Sequence, residues 1–357
     1  MLGFLIYLPT IEIIPHLMFV FAFVYIFFKE KELISSSIIL SEINYYNILL
    51  VLLIILFSLL NRVFSPLNIN NLSDAFPYQF LLIFTLLIAF NISKFDIKIL
   101  LIFIFIESLF VIYEFYIGDM SVFGSNLIDA NETYLLQMRP YGLSRNSSNV
   151  ASKLFLFFIL SKHYFRKDKL VKYMTPVVVI ALLLTFNRTA MICTLFFYLL
   201  YICTQFFTKR ISKFEIFTFI SLIFITIYFT IQYFDIIEMQ LTGGQGKFRT
   251  FTIRENIWSE YYQYIKENIL LGNNSYKYLI KYKGLIFHAH NSFIQTLATN
   301  GIIIFLLYLI LIIININKKN LIYILPILLF AIPQYTIFWG ISLEDITFFS
   351  LLINNNS

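Results

Sequence analysis

Long apolar runs recur from one end of this chain to the other, and most are long enough to cross a bilayer as a helix, which takes roughly 20 mostly apolar residues. They fall near residues 11–28, 45–60, 76–92, 97–117, 149–165, 171–187, 189–207, 214–234, 290–315, 321–338 and 340–353. This pattern predicts an all-α, polytopic membrane protein with about 11 (10–12) transmembrane helices and one long external loop that contains short amphipathic helices. Composition supports the class: 13% of residues are charged and 59% hydrophobic, where soluble domains carry about a quarter charged residues. Mean hydropathy is +0.81. Pro9 and Pro15 interrupt the first run, between Leu2 and Phe28, and could mark a short re-entrant piece. No cleavable signal peptide is expected, because a basic leading region and a small-residue cleavage site are both missing.

Lysine and arginine in the short connections set the expected orientation. Lys29 and Lys31, Lys94 and Lys98, the group from Lys162 to Lys172, the group from Lys209 to Lys213, and Lys318 with Lys319 fall on alternate connections. Those connections are expected to face the cytoplasm. The external side then holds the loop from Asp119 to Ser148, the hairpin around Arg188, the segment from Asp235 to Ala289 and the turn from Gly340 to Asp345. The amino terminus would be external and the carboxyl terminus cytoplasmic. The organisation read from this is 1–234 as the first eight spans with loop 119–148, then 235–289 as a long periplasmic loop, then 290–357 as the last three spans.

A net charge of +6 needs no nucleic acid to explain it, and none is expected as a partner. Much of the cytoplasmic excess is topological and suits anionic membrane lipids. Cys193 and Cys203 lie within one predicted helix, with no spacing that suggests a disulfide or a metal site.

The arginines distribute differently from the lysines. Of 8 arginines only Arg166 and Arg210 fall on the cytoplasmic side, whereas 12 of 18 lysines do. Arg62, Arg139, Arg145, Arg188, Arg249 and Arg254 are left outside. Arginine presents a rigid, permanently charged fork that matches phosphate oxygens, which a flexible ammonium does not. A diphosphate site would be built from such residues, although lipid headgroups or external carboxylates could also engage them. Arg188 sits between two apolar helices, where a charge needs a partner or a watery cavity. Glu107 and Glu114 lie seven residues apart on one face of the fourth span. They could pair with these arginines, contact sugar hydroxyls, or form an ion pair that holds the bundle together.

Three motifs share the external face. Arg139-Pro-Tyr-Gly-Leu-Ser-Arg-Asn-Ser-Ser-Asn-Val-Ala ends the first external loop; Gly142 permits a tight turn, Asn146, Ser147 and Ser148 suit a helix cap, and Asn149 is a candidate substrate contact. The Asn187-Arg188-Thr189 hairpin is the second. In the third, Ile257, Tyr261, Tyr264 and Ile265 recur at helical spacing after Arg254, and Gly272 suits the end of that helix. The chain then returns through tyrosines and lysines, Tyr276 to Lys283, that fit an interfacial belt.

After them comes His-Ala-His-Asn-Ser-Phe-Ile-Gln-Thr-Leu-Ala-Thr-Asn-Gly, residues 288–301, which enters a membrane helix. Ser292, Gln295, Thr296 and Thr299 form one polar stripe on it, expected to line a cavity that opens outward with His290 at its mouth. Neutral imidazole can take a proton near pH 7, so His290 is the candidate base and His288 a weaker one. No Walker loop or dinucleotide fingerprint is present.

Taken together, Asn-Arg-Thr-Ala at 187–190, Ile-Arg-Glu-Asn-Ile-Trp at 253–258 and the His290-Asn291 helix that reaches Gly301 resemble the bacterial O-antigen polymerase and O-antigen ligase family. Two positions depart from its pattern. Ile304 stands where a second glycine is frequent and Ser147 where proline is frequent; neither change removes a charged or proton-transferring group. The resemblance implies a metal-independent membrane glycosyltransferase, without cofactor, at the periplasmic face of the bacterial inner membrane. The donor would be an undecaprenyl-diphosphate-linked oligosaccharide, with Arg188 and Arg254 holding the diphosphate and His290 activating the acceptor. Arg139, Arg145, Asn149, Asn291, His288 and Glu114 would be substrate contacts.

A divergent chain rich in Ile, Phe, Asn and Tyr favours a polymerase tailored to one repeat unit, with a chain-length co-polymerase as an implied partner. The alternatives are a ligase that uses lipid A core as acceptor, and a flippase or transporter for lipid-linked sugars. Transporters commonly show internal repeats, and none is visible here.

Overall fold

The structure is a computed structural model that describes residues 2–7, 45–64, 73–74, 78–118, 139–144, 146–207, 250–282, 284–338 and 342–353, with isolated positions at 24, between 216 and 231, and at 340. Nearly all of the first predicted span, most of that at 214–234, and Arg145 lie outside the described residues.

Helices dominate what is described, as the apolar periodicity predicts. They are α1 (Leu2–Tyr7), α2 (Tyr45–Phe64), α3 (Leu82–Asn91, after a 3-10 turn Tyr78–Leu81), α4 (Lys94–Ile117), α5 (Ser147–Tyr164), α6 (Lys169–Leu184) and α7 (Arg188–Phe207). After these come α8 (Thr250–Glu267), α9 (Ser292–Asn315), α10 (Leu321–Ala331) and α11 (Leu343–Ile353). Three described helices, Tyr45–Val63, Arg188–Phe206 and Ser292–Asn315, are long and apolar enough to cross a membrane by length and composition. α4 is as long as α9, but it carries Glu107 and Glu114 in its interior. The run expected as a helix over 321–338 ends early, at Ala331, because Pro333 offers no amide and disfavours helical backbone before it.

The core of the bundle is α5. Every residue from Val150 to Lys162 is buried, enclosed by α4, α6, α7 and α11. Asn146 caps this helix, its side chain accepting from the Asn149 amide at 2.8 Å. α4 opens with a capping box between Ser93 and Asp96 and closes at Gly118 in the left-handed region. α9 packs against α2 on one side and α8 on the other.

Short strands complete the polar segment: β1 (Ser73–Asp74) pairs antiparallel with β2 (Lys277–Tyr278), and β3 (Ile280–Tyr282) pairs with β4 (Leu285–Phe287). They form a small second core with α8, in which Ile257, Tyr261, Ile280, Ala289 and Ala298 are buried. The helical spacing of Ile257 and Tyr261 therefore marks a face buried against the protein.

Candidate functional site

Four chain segments deliver three guanidinium groups and an imidazole to one region, each at or near the start of a helix. Arg139 lies in the loop that leads into α5, Arg188 is the first residue of α7, Arg254 sits early in α8, and His290 immediately precedes the Asn291 cap of α9. A helix N-terminus carries partial positive charge from unpaired amides, so cations there reinforce a field that attracts anions.

The charges of these groups bear on one another's ionisation. Burial lowers the Arg139 pKa, and the charges of Arg188 and Arg254 lower it further. Burial and Arg188 do the same to Arg254. Yet no carboxylate among the described residues forms an ion pair with Arg139, Arg188 or Arg254. Arg139 Nε is buried without a hydrogen-bond partner, while Arg188 is exposed. Clustered like charges without counter-charge are unfavourable in a folded chain, and an arriving anion with several oxygens relieves that repulsion.

Beside the arginines lies the histidine pair. The His290 amide donates to His288 Nδ1 at 3.0 Å, and the two rings are 4.1 Å apart. This bond requires Nδ1 of His288 to be unprotonated. Burial, then the charges of His290, Lys277 and Arg254, lower His288 to about 3; burial and Arg254 lower His290 to about 4. Both rings are therefore neutral at pH 7, the state in which an imidazole can accept a proton. His290 has φ 49°, in the left-handed region where a residue with a Cβ is strained by roughly 1–2 kcal/mol. Such strain is concentrated at sites where function demands the conformation.

The surroundings hold this geometry from three sides. Trp258 Nε1 donates to the Ala289 carbonyl at 2.6 Å, and the Ala289 amide donates to Gln295 Oε1 at 2.8 Å, so the residue between the histidines is clamped at both ends. Gln295 Nε2 donates in turn to the Tyr278 carbonyl at 2.7 Å. Across the site, the amides of Tyr141 and Gly142 donate to Glu114 Oε2 at 2.8 and 2.7 Å. Glu107 accepts from Ser144 at 3.1 Å and from Lys153 and Tyr7 at 2.7 Å each.

Several expectations change at this point. Glu114 is a buried anchor for the loop that carries Arg139, accepting from the Tyr141 and Gly142 amides, and Glu107 takes Lys153 as its ion-pair partner. The side chain of Asn291 is committed to the amides of Phe293 and Ile294 as the α9 cap. The polar stripe of α9 does not line an open cavity. Ser292, Gln295, Thr296 and Thr299 are buried, and Ser292 Oγ, for instance, accepts from the amides of Thr336 and Ile337. Asn149 is exposed at the start of α5. Of the expected site residues, the structure brings Arg139, Arg188, Arg254, His288 and His290 together.

Residues 175–309 match a family described as O-antigen ligase. Over that stretch the chain is similar to the O-antigen ligase family. Comparison with curated proteins and with solved structures gave no match. The matched stretch contains Arg188, Arg254, both histidines and Gly301. The Arg139 loop precedes that stretch, so its place beside Arg188 and Arg254 comes from the tertiary structure.

One residue beside this site escaped the sequence reading. Lys277 looks like part of an interfacial belt, yet its side chain is buried, with the ammonium 5.5 Å from the Tyr78 ring and 5.4 Å from the Tyr335 ring. Its charge reaches His288. Nothing in the local run of tyrosines and lysines distinguishes it; the β1–β2 pairing selects it.

Proposed function

We propose that the protein is an O-antigen polymerase that transfers an undecaprenyl-diphosphate-linked glycan to a sugar hydroxyl of a lipid-linked repeat unit, at the periplasmic face of the inner membrane. The observation that carries this reading is the convergence of Arg139, Arg188 and Arg254 from separate segments, without a pairing carboxylate among the described residues, beside a neutral histidine pair. A lipid diphosphate develops charge as it leaves, and fixed guanidinium groups stabilise that charge without a metal. The acceptor oxygen attacks the anomeric carbon of the donor, the carbon–oxygen bond to the diphosphate breaks, and the acceptor proton passes to His290. Arg188 and Arg254 hold the departing diphosphate, with Arg139 as a further contact. His288 fixes the backbone of His290 through its amide.

A ligase that uses lipid A core as acceptor is the second reading, favoured by the description of the matched family. Single alanine substitutions of Arg188, Arg254 and His290, introduced into a polymerase-deleted strain, test the mechanism on glycan gels. Loss of the long-chain ladder is expected for each; a normal ladder from all three would sink the proposal. Restored attachment to core in a ligase-deleted strain would decide for the second reading.

A further inference from the structure

Two polar rungs tie α2 to α9 and serve as a ruler across the membrane. At one end Asn47 and Asn315 exchange side-chain hydrogen bonds of 3.0 and 2.7 Å. At the other, Asn61 Nδ2 donates to the Asn300 carbonyl at 3.2 Å. About fifteen residues of helix separate the rungs, roughly 22 Å at 1.5 Å per residue. The hydrocarbon of a bilayer is thicker, about 30 Å.

Among the described residues, no apolar part of α2 or α9 extends beyond the Asn47–Asn315 rung to fill the difference. α2 begins at Tyr45, Tyr45 and Tyr46 are exposed, and Asn317, Lys318 and Lys319 follow soon after Asn315. Exposed tyrosines and lysines mark the interface. The mismatch of about 8 Å therefore falls on the site side, and the Asn61–Asn300 rung lies below the edge of the hydrocarbon.

What packs on that rung is the end of the polar segment, the turn after α8. The Leu271 carbonyl accepts from Asn61 Nδ2 at 3.5 Å, and the Ile269 carbonyl accepts from the Ile302 amide at 2.8 Å. The amides of Asn273 and Ser275 donate to the carbonyls of Ala298 and Thr299, while those of Gly272 and Asn274 bond within the turn. Irregular backbone persists at such depth where protein groups satisfy it. The side chains between these bonds face outward: Ile269 is 48% exposed, Leu270 64% and Leu271 39%. Three adjacent exposed aliphatic side chains are unfavourable in water and favourable in hydrocarbon.

We propose that Ile269, Leu270 and Leu271 form a re-entrant wedge in contact with the acyl chains of the site-side leaflet. The wedge anchors the end of α8, the helix that carries Arg254, to the bilayer. This inference rests on α2 and α9 crossing the membrane and not on the transfer reaction, so a failed activity assay leaves it standing.

The test is nitroxide depth measurement by power-saturation electron paramagnetic resonance, in phosphatidylethanolamine and phosphatidylglycerol nanodiscs. Labels are placed by Leu270→Cys and, separately, Ile269→Cys, in a chain with Cys193→Ala and Cys203→Ala. Leu306→Cys on α9 and Ile286→Cys on β4 give the lipid and water references. Oxygen is expected to reach the Leu270 and Ile269 labels more readily than a nickel chelate does, as at Leu306. Nickel accessibility equal to or above that of oxygen at both positions, as at Ile286, would overturn the wedge.

Discussion

Gly272 and Gly301 meet backbone to backbone: a Cβ on Gly272 would stand 2.5 Å from the Gly301 amide nitrogen, and a Cβ on Gly301 would stand 2.1 Å from the Leu270 carbonyl oxygen. Gly301 breaks α9 from within, with φ 76° and ψ 179°, and the turn after α8 enters the break. The carbonyls of Ala298 and Thr299 accept from the incoming amides of Asn273 and Ser275. Thus the glycine that closes the histidine motif is the socket for the segment that ends the Arg254 helix, and it fixes the two halves of the site to each other.

Replacing either glycine by alanine is expected to unseat this joint. Both have positive φ, and the clash is with backbone, which has no rotamer to yield. Gly301→Ala should lower the yield of folded protein severely in size-exclusion and thermal-shift measurements. Gly284→Ala, at φ +84° with nothing within 4 Å, should lose only the local conformational preference, about 1 kcal/mol. Equal thermal stability of the two variants would contradict the joint.

Removal of one charge-stabilising donor typically lowers turnover by roughly 10²–10³-fold. Arg188→Ala is expected to show such a loss in transfer from purified donor. Arg188→Lys should recover part of it, because charge is kept and the bidentate fork is lost. Turnover within twofold of wild type for Arg188→Ala would remove this residue from the site.

His290 should report the charge of Arg254. Burial and Arg254 together lower its pKa to about 4, so loss of that guanidinium raises it. In Arg254→Gln the acid limb of kcat/KM, which follows the free enzyme, is expected at higher pH than in the wild type. In the wild type the limb of kcat should lie above that of kcat/KM, because bound diphosphate stabilises the imidazolium. An unmoved limb in Arg254→Gln would separate the two residues.

Glu114 is expected to act through hydrogen bonds to the Arg139 loop and not through its proton. Glu114→Gln retains an acceptor for the Tyr141 and Gly142 amides and should keep most activity, whereas Glu114→Ala leaves buried amides unpaired at a cost of about 1–3 kcal/mol each. The alanine variant should raise KM for the lipid-linked donor more than it changes kcat. Equal loss in both variants would point instead to a charged role for the carboxylate.

The histidine pair also predicts acid lability. Both pKa values lie below the ordinary 6.5 in the folded protein, at about 3 and about 4, so the unfolded chain binds more protons as pH drops through 6.5. Stability is complete above that value and falls progressively toward pH 4. The thermal midpoint in detergent should decline from pH 7.5 to 5, and His288→Asn, whose side chain offers an acceptor in place of Nδ1, should decline less. A parallel decline would assign the lability elsewhere.

The apolar runs are local properties of the chain, so their length alone determines a helical membrane protein, and α2, α7 and α9 appear close to their expected bounds. Charge type is equally local. Arginines placed beside helix starts, with His290 at the head of α9, could be read from sequence because each motif contains its own turn, cap or periodicity. Ile257 and Tyr261 face inward as their spacing requires.

Which polar group satisfies which is a different matter. Glu114 reaches a loop 27 residues on, Lys153 reaches Glu107 across 46 residues, and Asn61 reaches Asn300 across 239. No periodicity encodes such pairings, and so a polar stripe that reads as a cavity wall proves to be a set of clamps, and a surface lysine proves to be buried beside His288. The sequence by itself determined the class of the protein and the residues that carry its charge. Only the tertiary structure decided which of those charges are neutralised internally and which converge without a counter-charge among the described residues, because in a low-dielectric interior that outcome depends on the contact of distant segments.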